Sequence, residues 1–222
     1  MKNVLAGMMA VVAFQVFSAQ STKDVGVFRN LKVYDKIHVD LLPSKTNKVE
    51  VGGSNASEVE VINKNGELKL RMSPAYLLQG EGVRVKVFYD RLTNIQANQG
   101  ASIKGEGTLK APKLVVGANE GASINMDLSV QMLELKSNTG AHIALSGSAD
   151  HQIAVVNTGA QYSGRHLKTS TSSITVKAGG NAEVFAAEAI DAKTFVGGNI
   201  MVYGNPVDKK TKKIAGGNIQ FK

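Results

Sequence analysis

The chain has no cysteine and no tryptophan, and it is poor in aromatic residues generally. Without cysteine there can be no disulfide, no thiolate metal site and no lipid-anchored N-terminal cysteine. Packing and hydrogen bonds alone must hold the fold. Scarce aromatics argue against a compact core built on large rings. Beyond the first twenty residues no window sustains the apolar spacing of a helix. Also missing are a Ser/His/Asp set, a phosphate-binding loop and a dinucleotide fingerprint. In their place the 222 residues hold 23 glycines and many Ser, Thr, Asn, Val and Ile. That mixture suits strands joined by tight corners, so the expected class is all-β.

The first twenty residues stand apart. "MKN" brings a positive charge, "VLAGMMAVVAFQVF" is an apolar run, and "SAQ" supplies small and polar residues. This is the layout of a secretory signal peptide, with cleavage expected after Ala19 or Gln20. The run is short for a membrane anchor, which needs about 20 apolar residues. The expected domains are therefore a signal peptide, 1–20, and one exported domain, 21–222, with no transmembrane span after cleavage.

A short pattern recurs through the second half: Gly, then Ala or Gly, then a polar residue, then Ile, Tyr or Ala. It begins at Gly100, Gly121, Gly140, Gly159, Gly179, Gly197 and Gly216, at intervals of 21, 19, 19, 20, 18 and 19 residues. Seven copies at one period read as a solenoid. About twenty residues are too few for a helix pair but suit two short strands and two corners. Apolar residues alternate after each glycine, as in Ile124 and Met126 or Ile143 and Leu145. A second apolar cluster follows: Leu114 and Val116, Leu133 and Leu135, Ile153 and Val155, Ile174 and Val176, then Phe195. Alternation sends one set inward and the other outward. The expectation is a parallel β-helix of about seven coils of about 19 residues over 100–222, right-handed because its strands are built from L-residues. In this reading each glycine marks a corner needing positive φ or close backbone approach. The polar residue two further on faces water and forms a ladder: Ser102, Ser123, His142, Gln161, Asn181, Asn199, Asn218. Gly107 and Gly147 mark weaker second corners, which implies a flattened, two-sheeted cross-section.

Residues 25–99 show clear strands, such as "KIHVDLL" and "VRVKVFY", and a hairpin signal at Asn63–Gly66, but no glycine period. They read as irregular early coils or an antiparallel cap, since a solenoid end needs covering. At the other end "GNPVDKKTKK" is expected to loop out before the last strand.

Together the "SGA/GAS" corners, the passage "VRVKVFYDRLTNIQANQGASI" and the ending "GGNIMVYGNPVDKKTKKIAGGNIQFK" resemble the putative auto-transporter adhesin, head GIN domain family, from about Val27 to Lys222. The resemblance implies an exported right-handed β-helix, similar in shape to pectin lyases and adhesin heads, with adhesion as its role. It supplies no catalytic residues to carry over.

Chemistry in the residues themselves is sparse. His38, His142, His151 and His166 lack metal-ligand spacing; His142 falls on the outward ladder. Glu106 and Asp127 both stand six after their glycines and would be neighbours if stacked, as in carboxylate pairs that bind calcium or cleave glycosides. Ser146 and Arg165 then interrupt that row. No metal and no cofactor is expected. The formal net charge is +8, densest at Lys209–Lys213. Export argues against nucleic acid, and no aromatics interleave those lysines. A solvated loop blunting a sheet edge explains them better than a polyanion site.

One outward row changes character. Lys104, Glu106, Asn125 and Asp127 in early coils give way to Phe185, Met201 and Tyr203 in late ones. Such a patch marks an interaction surface unless the chain covers it. The reading is a non-catalytic exported binding or adhesion scaffold in the periplasm, on the outer surface or outside the cell. The alternative is a polysaccharide-active lyase or hydrolase, which needs carboxylates and bases converging on one groove. The partner classes left open are a glycan, a protein and a second copy of this chain.

Overall fold

The computed structural model describes residues 21–222; the candidate export signal, 1–20, lies outside the described residues. The fold is all-β, a parallel β-solenoid of about seven turns of about 19 residues. Among the described residues no helix is long and apolar enough to cross a membrane.

The N-terminal part contributes β1 (Ser21–Asp24), β2 (Asn30–Val33), β3 (His38–Pro43), β4 (Lys48–Gly53), β5 (Val59–Lys64), β6 (Glu67–Met72), β7 (Val83–Tyr89) and β8 (Asn94–Ala97). The regular part contributes β9 (Ser102–Ala118), β10 (Ser123–Ser137), β11 (His142–Val156), β12 (Gln161–Lys177), β13 (Asn181–Phe185), β14 (Ala189–Phe195), β15 (Asn199–Tyr203), β16 (Asp208–Ile214) and β17 (Asn218–Phe221). From β9 onward each coil stacks in parallel on the one before it.

Each repeating glycine has positive φ, between 68° and 91°, and so does the residue before it, from Gln99 to Ala215. Two consecutive left-handed residues make a tight turn that glycine adopts at no steric cost. In the first five corners it is closed by a bond such as Ala101 N–H to Asn98 O, 3.1 Å. Space is not the reason for glycine at Gly121: a Cβ there would meet nothing within 4 Å. The small residue that follows, Ala101, Ala122, Ala141 or Ala160, is fully buried.

The hydrogen-bonded ladder at these corners runs two residues before the glycine, not two after. Asn119 Nδ2 donates to Asn98 Oδ1 at 2.9 Å, Asn138 to Asn119 at 2.7 Å, and Asn157 to Asn138 at 2.7 Å. Parallel stacking in register puts identical side chains one strand apart, so each amide can donate down and accept from above. Each bond contributes about 1 kcal/mol. The ladder ends at Asn157, because the next coil places Lys177 in that row. In the expected row only Asn199 donates to Asn181, at 2.8 Å, among the described residues.

Core pegs Ile103, Ile124, Ile143, Tyr162 and Ile200 are buried. Tyr162 fits because Gly164, two residues on, has no side chain to strike its ring. Its hydroxyl donates to Gln152 Oε1 at 2.8 Å, and Gln152 Nε2 donates to Ser172 Oγ at 3.1 Å. This internal network overturns part of the expected register. Gln152, Ala154 and Val156 point inward, whereas Ile153 is 46% exposed and Val155 faces out. Stacking decides it: Leu133 pairs with Gln152 and Leu135 with Ala154, and Gln152 finds partners inside. Phe195 likewise faces out while Thr194 is buried and bonds the Gly216 carbonyl at 3.1 Å.

Residues 25–99 form both coils and a cap, in an unexpected order. β2 lies between β6 and β8, and β3 between β7 and β9, all parallel. The first coil of the chain is thus second in the stack; the β6–β7 coil is added outside it. Outermost come antiparallel strands: β4 on β7, β5 on β6, and β1 on β4. The first coil has the same corner without glycine. Asp35 and Lys36 take φ of 58° and 61°, and Ile37 N–H reaches Tyr34 O at 3.2 Å. The buried Asp35 carboxylate accepts from Met72 N–H at 3.0 Å and Leu78 N–H at 3.3 Å, tying this corner to its outer neighbour.

At the C-terminal end the expected loop shrinks to 204–207, because Asp208–Ile214 is a strand paired with β14. Register places Lys209, Thr211 and Lys213 in the rows of Ile190, Ala192 and Thr194, which face the core. Lys209 Nζ sits 4.9 Å from the Phe221 ring.

Candidate functional site

Where β12 hands over to β13, β15 and β17, side chains on the outer face line up in three rows. The first is Gln161, Asn181, Asn199 and Asn218; the second is Ser163, Glu183, Met201 and Gln220. In the third, Phe185 pairs with Tyr203. These residues face out because their alternates, Tyr162, Ala182, Val184, Ile200 and Val202, fill the core. The first two rows line a shallow cleft of about 450 Å³.

The aromatic row is not bare. Lys168 Nζ lies 3.9 Å from the Phe185 ring, and the Arg165 guanidinium 5.2 Å from that of Tyr203. The Tyr203 hydroxyl reaches Glu183 Oε1 at 3.4 Å. Phe185, Met201 and Tyr203 are each half-buried. What forms is a strip of amides, aromatic rings and cations with one carboxylate, not an apolar patch. The segment 205–213, one cover the chain could supply, does not loop over it, since Asp208–Ile214 stacks on β14. Arg165 and Lys168 were not legible as partners of these rings, since a register shift between Ala144 and Ser146 in the underlying strand displaces their row.

The suspected carboxylate pair is not one. Asn125 pairs with Lys104, but Asp127 pairs with Thr108, because β9 carries extra residues around Gly107, whose φ is 75°. Asp127 instead accepts from Thr108 Oγ1 at 2.6 Å and Ser146 Oγ at 3.0 Å. Glu106 pairs with Lys104 at 2.7 Å. Both oxygens of Asp127 are thus held by hydroxyls of the coils on either side. The other marked second corner, Gly147, is needed for space: a Cβ there would run into the Leu128 carbonyl.

The histidines are dispersed. His142 stacks between Ser123 and Gln161, and His151 Nδ1 lies 2.7 Å from Thr171 Oγ1. His38 is held below its ordinary pKa, first by burial and then by the Arg84 charge opposite it. No group of three His, Cys, Asp or Glu able to hold a metal occurs among the described residues. Burial also raises the Tyr89 hydroxyl to about 12 and pushes that of Tyr162 higher still, so both stay protonated as core groups.

The sequence profile of the putative auto-transporter adhesin, head GIN domain family matches residues 27–206. Among solved structures, a putative adhesin from Bacteroides fragilis superposes with a TM-score of 0.82 at 18% identity, covering 92% of this chain and 96% of that one. A putative adhesin from Parabacteroides distasonis gives 0.75 at 19% identity, over 92% and 96%. From the same organism, a protein described as a putative lipid binding protein gives 0.70 at 11%, again over 92% and 96%. Similarity at these identities establishes the shared fold. No curated protein matches the chain.

Proposed function

The chain belongs to the putative auto-transporter adhesin, head GIN domain family, and from that premise we propose that it is a non-catalytic, exported binding scaffold of the adhesin type. Residues 1–20 serve as a cleaved export signal and 21–222 form one solenoid domain. The observation that carries the reading is the outer strip of the late coils. Amides, aromatic rings and cations there repeat at the spacing of stacked strands, about 4.8 Å, on a rigid frame. Such a surface offers hydrogen bonds and ring contacts to an extended ligand, whether a glycan or a segment of another protein, without offering it a reaction. Glu183 is the one carboxylate of the strip, and an acid–base hydrolytic site needs two.

A screen of the purified chain on immobilised glycans and envelope proteins, run beside an activity screen on acidic polysaccharides, tests this. The expected outcome is retention without turnover, lost when Phe185 and Tyr203 are both changed to Ser while the fold persists. Soluble products from a polysaccharide would show an enzyme instead. Undiminished retention by the double variant would remove the strip from the proposal. Mass spectrometry of the exported protein should find its N-terminus near Ala19; an intact Met1 would reject the export signal.

A further inference from the structure

Four cations from three separate segments, Arg29, Arg91, Lys110 and Lys113, surround a pocket of about 320 Å³. Its apolar side is made by Leu92, Ala111 and Pro112. The segments belong to consecutive levels of the stack and are locked together through the main chain. Thr93 N–H donates to Arg29 O at 2.9 Å, and Val115 N–H to Thr93 O at 2.9 Å. A frame this stiff keeps long cationic side chains from having to order a loop on binding.

The charges are under-compensated. Lys113 Nζ is 2.6 Å from Glu134, and Arg91 Nε is 3.6 Å from Asp90. Arg29 and Lys110 have no ion-pair partner among the described residues. Four cations therefore face two carboxylates, one of them loosely held. Two guanidinium groups favour a planar, two-oxygen anion such as a carboxylate.

The pocket also continues. Lys110, Ala111 and Pro112 are a wall shared with a second cleft of about 480 Å³, which extends over Ser129, Val130, Gln131 and Ser148 and has one carboxylate, Asp150, in its lining. Register makes Lys110, Ser129, Ser148 and Lys168 one row across four successive coils. At about 4.8 Å per strand that row spans roughly 14 Å. Hydroxyls sit between its cationic ends. A single small anion would use only a fraction of this length. A flat protein partner needs about 800 Å² per side, which a narrow row does not offer.

We propose that this row is a binding site for an acidic glycan chain, with sugar carboxylates on Arg29, Arg91 and Lys110, sugar hydroxyls on Ser129, Gln131 and Ser148, and a ring face on Ala111 and Pro112. The row meets the strip of the late coils at Lys168, whose ammonium lies over Phe185, but the carboxylate contacts proposed here fall at its other end, on Arg29, Arg91 and Lys110.

Isothermal titration of the purified chain with a uronic acid trisaccharide and with its neutral counterpart tests the proposal. The acidic sugar should bind and the neutral one should not, and added salt should weaken binding. Changing Arg29→Ala and Arg91→Ala together should weaken it by roughly tenfold or more, as should Lys110→Glu alone, with unchanged melting temperatures. Tyr203→Ser should leave it intact. The proposal is overturned if the acidic trisaccharide does not bind, if the neutral one binds equally, or if the arginine variant binds normally. It is also overturned if inorganic phosphate binds as tightly as the trisaccharide, which would make this a simple anion site. Arginine-dependent capture by anionic phospholipid vesicles, with no uronate binding, would assign the row to a membrane surface.

Discussion

The two halves of the solenoid reach the same cross-section by different routes. From β9 to β17 the chain lays each coil on the last, and each repeat is marked by the same turn with glycine in it. From β2 to β8 the first coil is laid down in the middle, the next is placed outside it, and antiparallel strands close the end. The difference teaches what a sequence repeat reports. It records consecutive stacking, because each coil then meets a neighbour of its own kind on both sides. Where spatial order departs from chain order, each level has different neighbours and no period is imposed. Leu31 and Ile143 are nonetheless both fully buried.

The largest test of this comparison is therefore in the core. Ile143→Ala should cost about 2–5 kcal/mol, and Leu31→Ala should fall in the same range despite its aperiodic surroundings. Denaturant unfolding measures both. A loss below about half a kilocalorie per mole at either site, the size of a surface change, would show that half to be loosely packed.

Corners should separate the halves more sharply. Gly121→Val forces a β-branched residue to φ of 71° and should cost about 1–3 kcal/mol. Lys36→Gly relieves the same strain in the first coil but frees the unfolded chain, two effects of about 1 kcal/mol each that oppose. It also removes the 2.6 Å pair of Lys36 with Glu81, which is exposed and worth little. Near-neutrality at Lys36 with a clear loss at Gly121 is the expected contrast. Thermal melts that show a large loss at Lys36 would mean that its side chain matters more than its backbone.

The smallest effect concerns pH. His38 in β3 has its pKa lowered in the fold from 6.5, chiefly by burial. The unfolded chain therefore takes up the proton first. His38's contribution is complete above the ordinary histidine pKa and declines as the pH falls toward and through the lowered value. His38→Gln should lose slightly less melting temperature than the parent between neutral pH and mild acid. An equal or greater loss would mean that other groups govern this limb.

Much of the regular half was legible because its signal is local. A left-handed corner favours glycine, and in all seven repeats a small residue, Ala or Gly, follows it. The asparagine of "NQGAS", "NEGAS", "NTGAH" and "NTGAQ" is equally visible, yet the ladder it forms lies on the opposite side of the glycine from the expected one. Placing it requires knowing that Asn opens the turn, a matter of hydrogen bonding. Ile153 departs from expectation because apolar alternation is a property of one strand, whereas the register with Leu133 and Leu135 is fixed by the neighbouring coil. The Gly107 bulge that separates Glu106 from Asp127 is likewise a property of two strands. Phe185, Met201 and Tyr203 could be placed outside from alternation alone, but the cations that cover the two rings could not. In the first coil Asp35 and Lys36 occupy the corner without glycine, held by bonds to residues about 40 positions away, which no local reading contains.

The lysines of β16 have a consequence for polymerisation. A parallel solenoid is built by adding strands to an edge, and an edge of matching shape invites another molecule to continue the stack, as in a fibril. Seating a further coil on β16 would enclose the ammonium groups of Lys209 and Lys213 in rows otherwise occupied by Ile, Ala and Thr. Each enclosed, unpaired charge would cost several kcal/mol, comparable to what the new backbone bonds would return. Addition of a matching strand on β16 is thus opposed by its side chains and not by its backbone, and growth into filaments through this edge meets that cost at the first added strand.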